Sequence, residues 1–144
     1  MHRVRAIGVS ALSAALLLSG CRTLEGKPDH VLGVWGGPHA GLTFQGGLAD
    51  VVFDCATATI DEPLYAVEGG PFSIKGTYRT GPPGPVKVGQ FFQSQGAVFS
   101  GDVTKEGGKN SPQKITFHVT LEDGTTLGPF TVTDGTPPQL APCH

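Results

Sequence analysis

The chain has 144 residues, a formal net charge of −2, only 15% charged side chains, 22 glycines and 12 prolines. That length is one domain's worth, and the glycine and proline content leans away from helix toward a β-rich fold with many turns. No basic excess is available to hold nucleic acid.

The chain opens on a targeting segment. His2, Arg3 and Arg5 lead into Ala6–Leu18, apolar apart from Gly8, Ser10 and Ser13. At about 13 residues that run is too short to cross a bilayer, which needs roughly 20, so it reads as an export signal.

Leu18-Ser19-Gly20-Cys21 resembles the lipobox of bacterial lipoproteins, with an aliphatic residue, two small residues and a cysteine. The resemblance implies cleavage before Cys21, a diacylglyceryl group on its sulfur and acylation of the new amino terminus, with palmitate-like chains. Two or more chains anchor stably where one does not. The competing reading is an ordinary secretory signal with an incidental cysteine. Arg22 stands where the lipoprotein pattern places aspartate for inner-membrane retention, so the periplasmic leaflet of an outer membrane is the expected location. Removing residues 1–20 takes away Arg3 and Arg5, leaves 8 basic against 12 acidic side chains, and moves the net charge from −2 to −4.

The expected organisation is a signal over 1–20, a tether over 21–30 without apolar period, and a β-domain over 31–144. Glycine pairs at 36–37, 46–47, 69–70 and 107–108 and Asp-Gly at 123–124 and 134–135 mark reversals. Between them the sequence predicts strands over 31–36, 41–45, 48–57, 71–79, 86–93, 96–104, 113–122 and 126–133. Two show a clear period of 2: Phe72, Ile74 and Tyr78 against Ser73, Lys75, Thr77 and Arg79, and Ile115, Phe117, Val119 and Leu121 against Lys114, Thr116, His118, Thr120 and Glu122. About eight sequential short strands suit an antiparallel up-and-down barrel, which leaves no exposed edge.

With Cys21 committed to lipid, Cys55 and Cys143 remain as an even pair in an oxidising compartment, and a disulfide is expected. It would close a loop of roughly 90 residues, worth about 4 kcal/mol on the chain-entropy model. Free thiols or a metal pair are the alternatives. Cys55 sits in the apolar alternation "DVVFDCATA" and not among cations, which disfavours reactive-thiol chemistry.

"GVWGG" at 33–37, "GGPFSIKGTY" at 69–78 and the closing cysteine resemble the calycin group of small barrels, which includes lipocalins, avidins and envelope inhibitors. The resemblance implies a barrel signature made of Gly33, Trp35, Phe72, Gly76 and Tyr78, with Trp35 plugging the closed end. Lipocalins cover that tryptophan with a later arginine, for which Arg79 is the candidate here. Avidins surround biotin with several tryptophans, and this chain has only Trp35. The chain also resembles small bacterial lipoproteins that share the Gly-x-Trp start and a C-terminal cysteine, a likeness that implies no activity.

Catalytic signals are sparse. His30, His39 and His144 fall in loops or the tail, His118 lies on the polar side of its strand, and no His or Cys spacing gathers a metal. Asp61-Glu62 and Glu122-Asp123 are adjacent acids, the second pair in a turn that wants Asp-Gly for backbone reasons. No Gly-x-Ser-x-Gly occurs, and the prolines of "TGPPGPVKVG" remove the N–H donors a phosphate needs, so it reads as a stiff linker. Phe91 and Phe92 point to opposite faces if extended: one filling the barrel and one covered by the preceding loop, or one forming a contact surface.

These features predict no enzyme, no cofactor and no metal. The expected function is a membrane-anchored envelope lipoprotein whose barrel binds a small apolar ligand. The alternative is a protein-binding or inhibitory lipoprotein acting through a loop at 80–85 or 105–113, and a hydrolase is the least favoured. A barrel filled by Trp35, Phe72 and Phe117 would count against the lumen as a ligand site.

Overall fold

A computed structural model describes residues 30–143 apart from 86, 106, 109 and 110. The segment expected to be a signal, Cys21 and nearly all of the expected tether lie outside those residues. The described chain is all-β, with eight strands: β1 Gly33–Gly37, β2 Ala40–Gln45, β3 Leu48–Phe53, β4 Ala56–Ile60, β5 Gly70–Thr80, β6 Ser94–Lys105, β7 Gln113–Leu121 and β8 Thr126–Asp134. Each pairs antiparallel with the next, and β8 returns to β1 through Trp35↔Asp134 and Gly36↔Thr133, closing an up-and-down barrel.

Alternation decides which side chains enter. The registers place Leu42, Val51 and Ala58 in one inward row and Ile74, Phe99 and Val119 in another. All six are buried in a single core with Trp35, Phe44, Phe53, Ile60, Ile115, Phe117 and Val132. Phe99, Phe117, Phe130, Phe53 and Tyr78 form a chain of tilted ring contacts with successive centroids 6.2, 5.4, 4.9 and 5.9 Å apart. Such offset aromatic pairs add to what their burial alone contributes. The interior is therefore occupied by side chains, and no polar residue is buried among the described ones.

Two strand expectations need correction, and they cancel in the count. The predicted strand at 48–57 is two strands, broken at Asp54-Cys55. Inward positions are odd before the break (Val51, Phe53) and even after it (Ala56, Ala58, Ile60), so a two-residue reversal is required to keep both sets in the core. Cys55 consequently sits in a turn and not in the third strand. The predicted strand at 86–93 is part of a loop over 81–93. Within 86–93 itself Gly89 adopts a φ of 90° and Gln90 N–H turns back to donate to Lys87 O, so 87–90 form a turn and not a strand.

After β8 the chain does not stop at the barrel end. Residues 135–143 run back along the outside of β1 and β2 as a strap. Gly135 N–H donates to Val34 O (2.8 Å), Gln139 N–H to Gly37 O (2.9 Å) and His39 N–H to Gln139 O (2.9 Å). The strap lies so flat that a Cβ on Gly36 would be 2.3 Å from the Pro137 carbonyl carbon, and one on Gly41 2.6 Å from Pro138 Cβ. These two glycines leave room for the strap. It ends in a disulfide between Cys143 and Cys55, with Cα atoms 5.4 Å apart across a sequence separation of 88.

Candidate functional site

The antiparallel meander gives the barrel two unlike ends. At one, the chain enters at residues 30–33 beside the 46–47 turn and the 61–69 loop; this is the entry end. At the other lie the Pro38-His39 turn, the Asp54-Cys55 turn, the disulfide, the 81–93 loop and the 122–125 turn; this is the rim.

The rim is built around Asp54. Its Oδ1 accepts the Ala141 N–H at 2.7 Å, and its Oδ2 lies 2.6 Å from His39 Nδ1. His39 reaches it from a backbone with φ of 66°, uncommon for a residue with a side chain. The Ala141 N–H, assisted by His39, holds the Asp54 carboxyl below the ordinary carboxylate range against a smaller opposing effect of burial. Three distant segments thus meet at one carboxylate. No sequence spacing pointed to this contact, because His39, Asp54 and Ala141 become neighbours only through barrel closure and the strap.

The 81–93 loop is rooted beside the disulfide, where Gly81 N–H donates to Cys55 O (2.9 Å) and Thr80 N–H to Gln93 O (3.1 Å). Its apex is an ordered turn: Gln90 N–H donates to Lys87 O (3.0 Å) and Lys87 N–H to Gln90 Oε1 (3.3 Å). That turn holds Val88 in full exposure, and the adjoining Phe91 is 95% exposed. Phe92 packs on Gly81 and under Arg79, whose guanidinium carbon is 5.5 Å from the ring centroid. Neither phenylalanine enters the barrel, so the expectation that one fills it is corrected. Both belong to a loop with no pleat to turn one of them inward.

Arg79 also donates from Nε to Thr57 Oγ1 at 3.2 Å. It faces outward at the rim, on the register row of Thr57 and Ser94, and does not cover Trp35. With Asp50, Thr57, Thr77 and Ser94 it lines a shallow outer-wall groove of about 420 Å³.

Gly33 opens β1. Trp35 is 2% exposed and donates from Nε1 to Leu32 O at 3.0 Å, fixing it near the entry end. Phe72 is half-buried against the core, and Gly76 lies under the Phe99 ring and against the Thr59 carbonyl. Tyr78 is half-buried beside Phe53, and that burial raises its phenol pKa. His118 is exposed on the outer wall. Among the described residues no three His, Cys, Asp or Glu side chains are grouped to hold a metal ion. Of the two loops expected to protrude, the one at 80–85 is the root of the longer 81–93 loop; residues 106, 109 and 110 of the other lie outside the described chain.

Comparison of the chain with protein-family models, with curated proteins and with solved structures returns no match.

Proposed function

We propose that this chain is an envelope lipoprotein, tethered through acyl chains on Cys21, that acts without catalysis by docking a partner protein on its rim loop. One observation carries the reading: Val88 and Phe91 are held out to solvent by an ordered, hydrogen-bonded turn. Large apolar side chains presented together in this way mark interaction sites. Two features support it. The lumen is occupied by Trp35, Phe99 and Phe117, which leaves the outside of the barrel for recognition, and the loop is at the end opposite the tether. The Leu18–Cys21 motif supports the anchor, and Arg22 supports the periplasmic leaflet of an outer membrane over the inner membrane.

The test is a photo-crosslinking amino acid at position 91, compared with one at Val98 on the barrel wall, in intact cells. A discrete adduct formed from 91 and absent from 98 is expected; identical patterns from both positions overturn the reading. Replacing Cys21 by serine is expected to abolish incorporation of a labelled fatty acid and to release the protein from membranes.

A second reading, a small apolar ligand, is favoured by one observation. The inward-facing Tyr78 and Phe130, near the rim, keep part of their surface uncovered. A ligand would rest in that shallow mouth above the packed interior. Native mass spectrometry of protein from its own envelope would show it as retained mass.

A further inference from the structure

The large apolar side chains left exposed on this barrel are not scattered. Val88 and Phe91 occupy the rim loop and Val98 the wall, while Leu32, Val34, Leu48 and Tyr65 gather toward the entry end. Tyr65 is 65% exposed, Leu48 56% and Leu32 43%.

Leu32, Leu48 and Tyr65 come from three segments that touch one another. Val31 N–H donates to Leu64 O at 2.7 Å, joining the first residues of the domain to the 61–69 loop and placing Leu32 close to Tyr65. A Cβ on Gly47 would be 3.2 Å from Pro63 Cγ, so the β2–β3 turn abuts the same loop and brings Leu48 to it. The Trp35 indole holds the Leu32 carbonyl in place, and Leu64 anchors the loop in the core at 1% exposure. The result is a supported apolar face.

What covers this face follows from where the chain comes from. Residues 22–29 separate Cys21 from the described domain, and fully extended they span at most about 30 Å. A lipid on Cys21 therefore holds the entry end within about 30 Å of the bilayer, because the chain enters the domain at that pole. A tyrosine beside leucines is the composition that suits a membrane interface, with an amphipathic ring at headgroup depth and aliphatic groups below it. Among the described residues this end carries Asp61, Glu62, Glu68 and Asp134 against Lys105 and Lys114, an acidic excess and not a basic one. Apolar insertion, and not attraction to anionic lipid, is then the means of contact.

We propose that Leu32, Leu48 and Tyr65 seat the barrel end-on on the phospholipid surface, fixing its orientation so that the 81–93 loop faces away from the membrane. This rests on the reading of Cys21 as the lipid anchor. It makes the anchor and the barrel end one composite membrane-binding device, with the acyl chains supplying attachment and the three side chains supplying direction.

Trp35, the chain's single and deeply buried tryptophan, makes a direct test available. The full acylated protein, as Y65W or as F91W, is placed in phosphatidylethanolamine/phosphatidylglycerol liposomes with and without brominated acyl chains. Brominated lipid is expected to remove at least half of the added Y65W emission and to leave F91W unchanged, with little dependence on salt. Adding L32S and L48S to Y65W is expected to restore the emission while the protein still floats with the liposomes. Flotation with acylated Cys21 but no quenching at 65, or equal quenching at 65 and 91, overturns the seating alone. Failure to float, together with an unmodified Cys21 by mass, overturns the anchor and the seating with it.

Discussion

Asp54 and Ala141 are 87 residues apart in sequence, and the carboxylate of one accepts the backbone N–H of the other at 2.7 Å. Cys143 Sγ lies 3.1 Å from the Asp54 carbonyl oxygen, so the same residue meets the strap with its side chain and its backbone. Strap, disulfide and the β3–β4 turn form one assembly, and it can be taken apart in steps.

Removing the covalent step has the largest effect. C143S is expected to lower unfolding free energy by about 2–5 kcal/mol, the usual range for a native disulfide in a small domain. Urea denaturation of the unreduced proteins measures it. A midpoint unchanged from wild type would show that the noncovalent strap contacts suffice.

The Asp54 contact makes stability depend on pH in a definite direction. Its folded-state pKa is depressed, so its contribution is fully present above the ordinary aspartate value of about 4 and is lost as pH falls through the lower folded-state value. Asp123 is depressed in the same sense by the Thr125 N–H, so the Asp54 share has to be read as a difference. Melting temperatures of wild type and D54N are expected to differ at pH 6 and to converge toward pH 2.5. A constant difference across that range would remove Asp54 from the account.

Gly41 leaves the strap its room. G41V would place side-chain carbons where Pro138 now lies, and the strap must lift or the strand must shift. A loss of about 1–3 kcal/mol is expected, typical of overpacking. Free-thiol titration is expected to find more reduced Cys55 and Cys143 than in wild type. Normal oxidation and stability together would show that the strap moves aside at no cost.

Adjacent residues of β7 separate core from surface. F117A empties a fully buried position in contact with Phe99 and Phe130 and is expected to cost about 3–5 kcal/mol. H118A, one residue on and facing out, is expected to stay within about 0.5 kcal/mol of wild type. Equal effects in thermal unfolding would mean that the register of β7 is wrong.

The fold was legible where alternation runs unbroken. Ile115 to Leu121 and Phe72 to Tyr78 declare one inward face each, and the meander follows from the short turns between strands. The break at Asp54-Cys55 was also written in the chain, as the change from odd to even apolar positions between Phe53 and Ala56. It was obscured because all of 48–57 looks like strand by composition. The prolines at 82, 83 and 85 mark a linker and stop short of the strand expected at 86–93, where Gly89 alone signals a turn; in the structure Phe92 finds its partner in Arg79 instead of the core. The cysteine pair could be reached by counting. The strap could not, because the reasons for Gly36, Gly41 and Asp54 lie in residues 137–141, some 90–100 positions further along. A periodic pattern reports on nearest neighbours in a sheet and is silent about a segment that crosses outside it.

The returning strap also settles where the two ends of this domain are found. The chain enters at one pole, and Cys143 is fastened at the other, beside the root of the 81–93 loop. An affinity tag or reporter attached at Cys143 would therefore stand next to the surface proposed for docking and compete with whatever binds there. The Gly46-Gly47 turn lies at the pole proposed to face the lipid, so it is no refuge for such a handle. The outer wall around His118 and Thr120, away from both poles, is the place to attach a probe meant to observe binding without taking part in it.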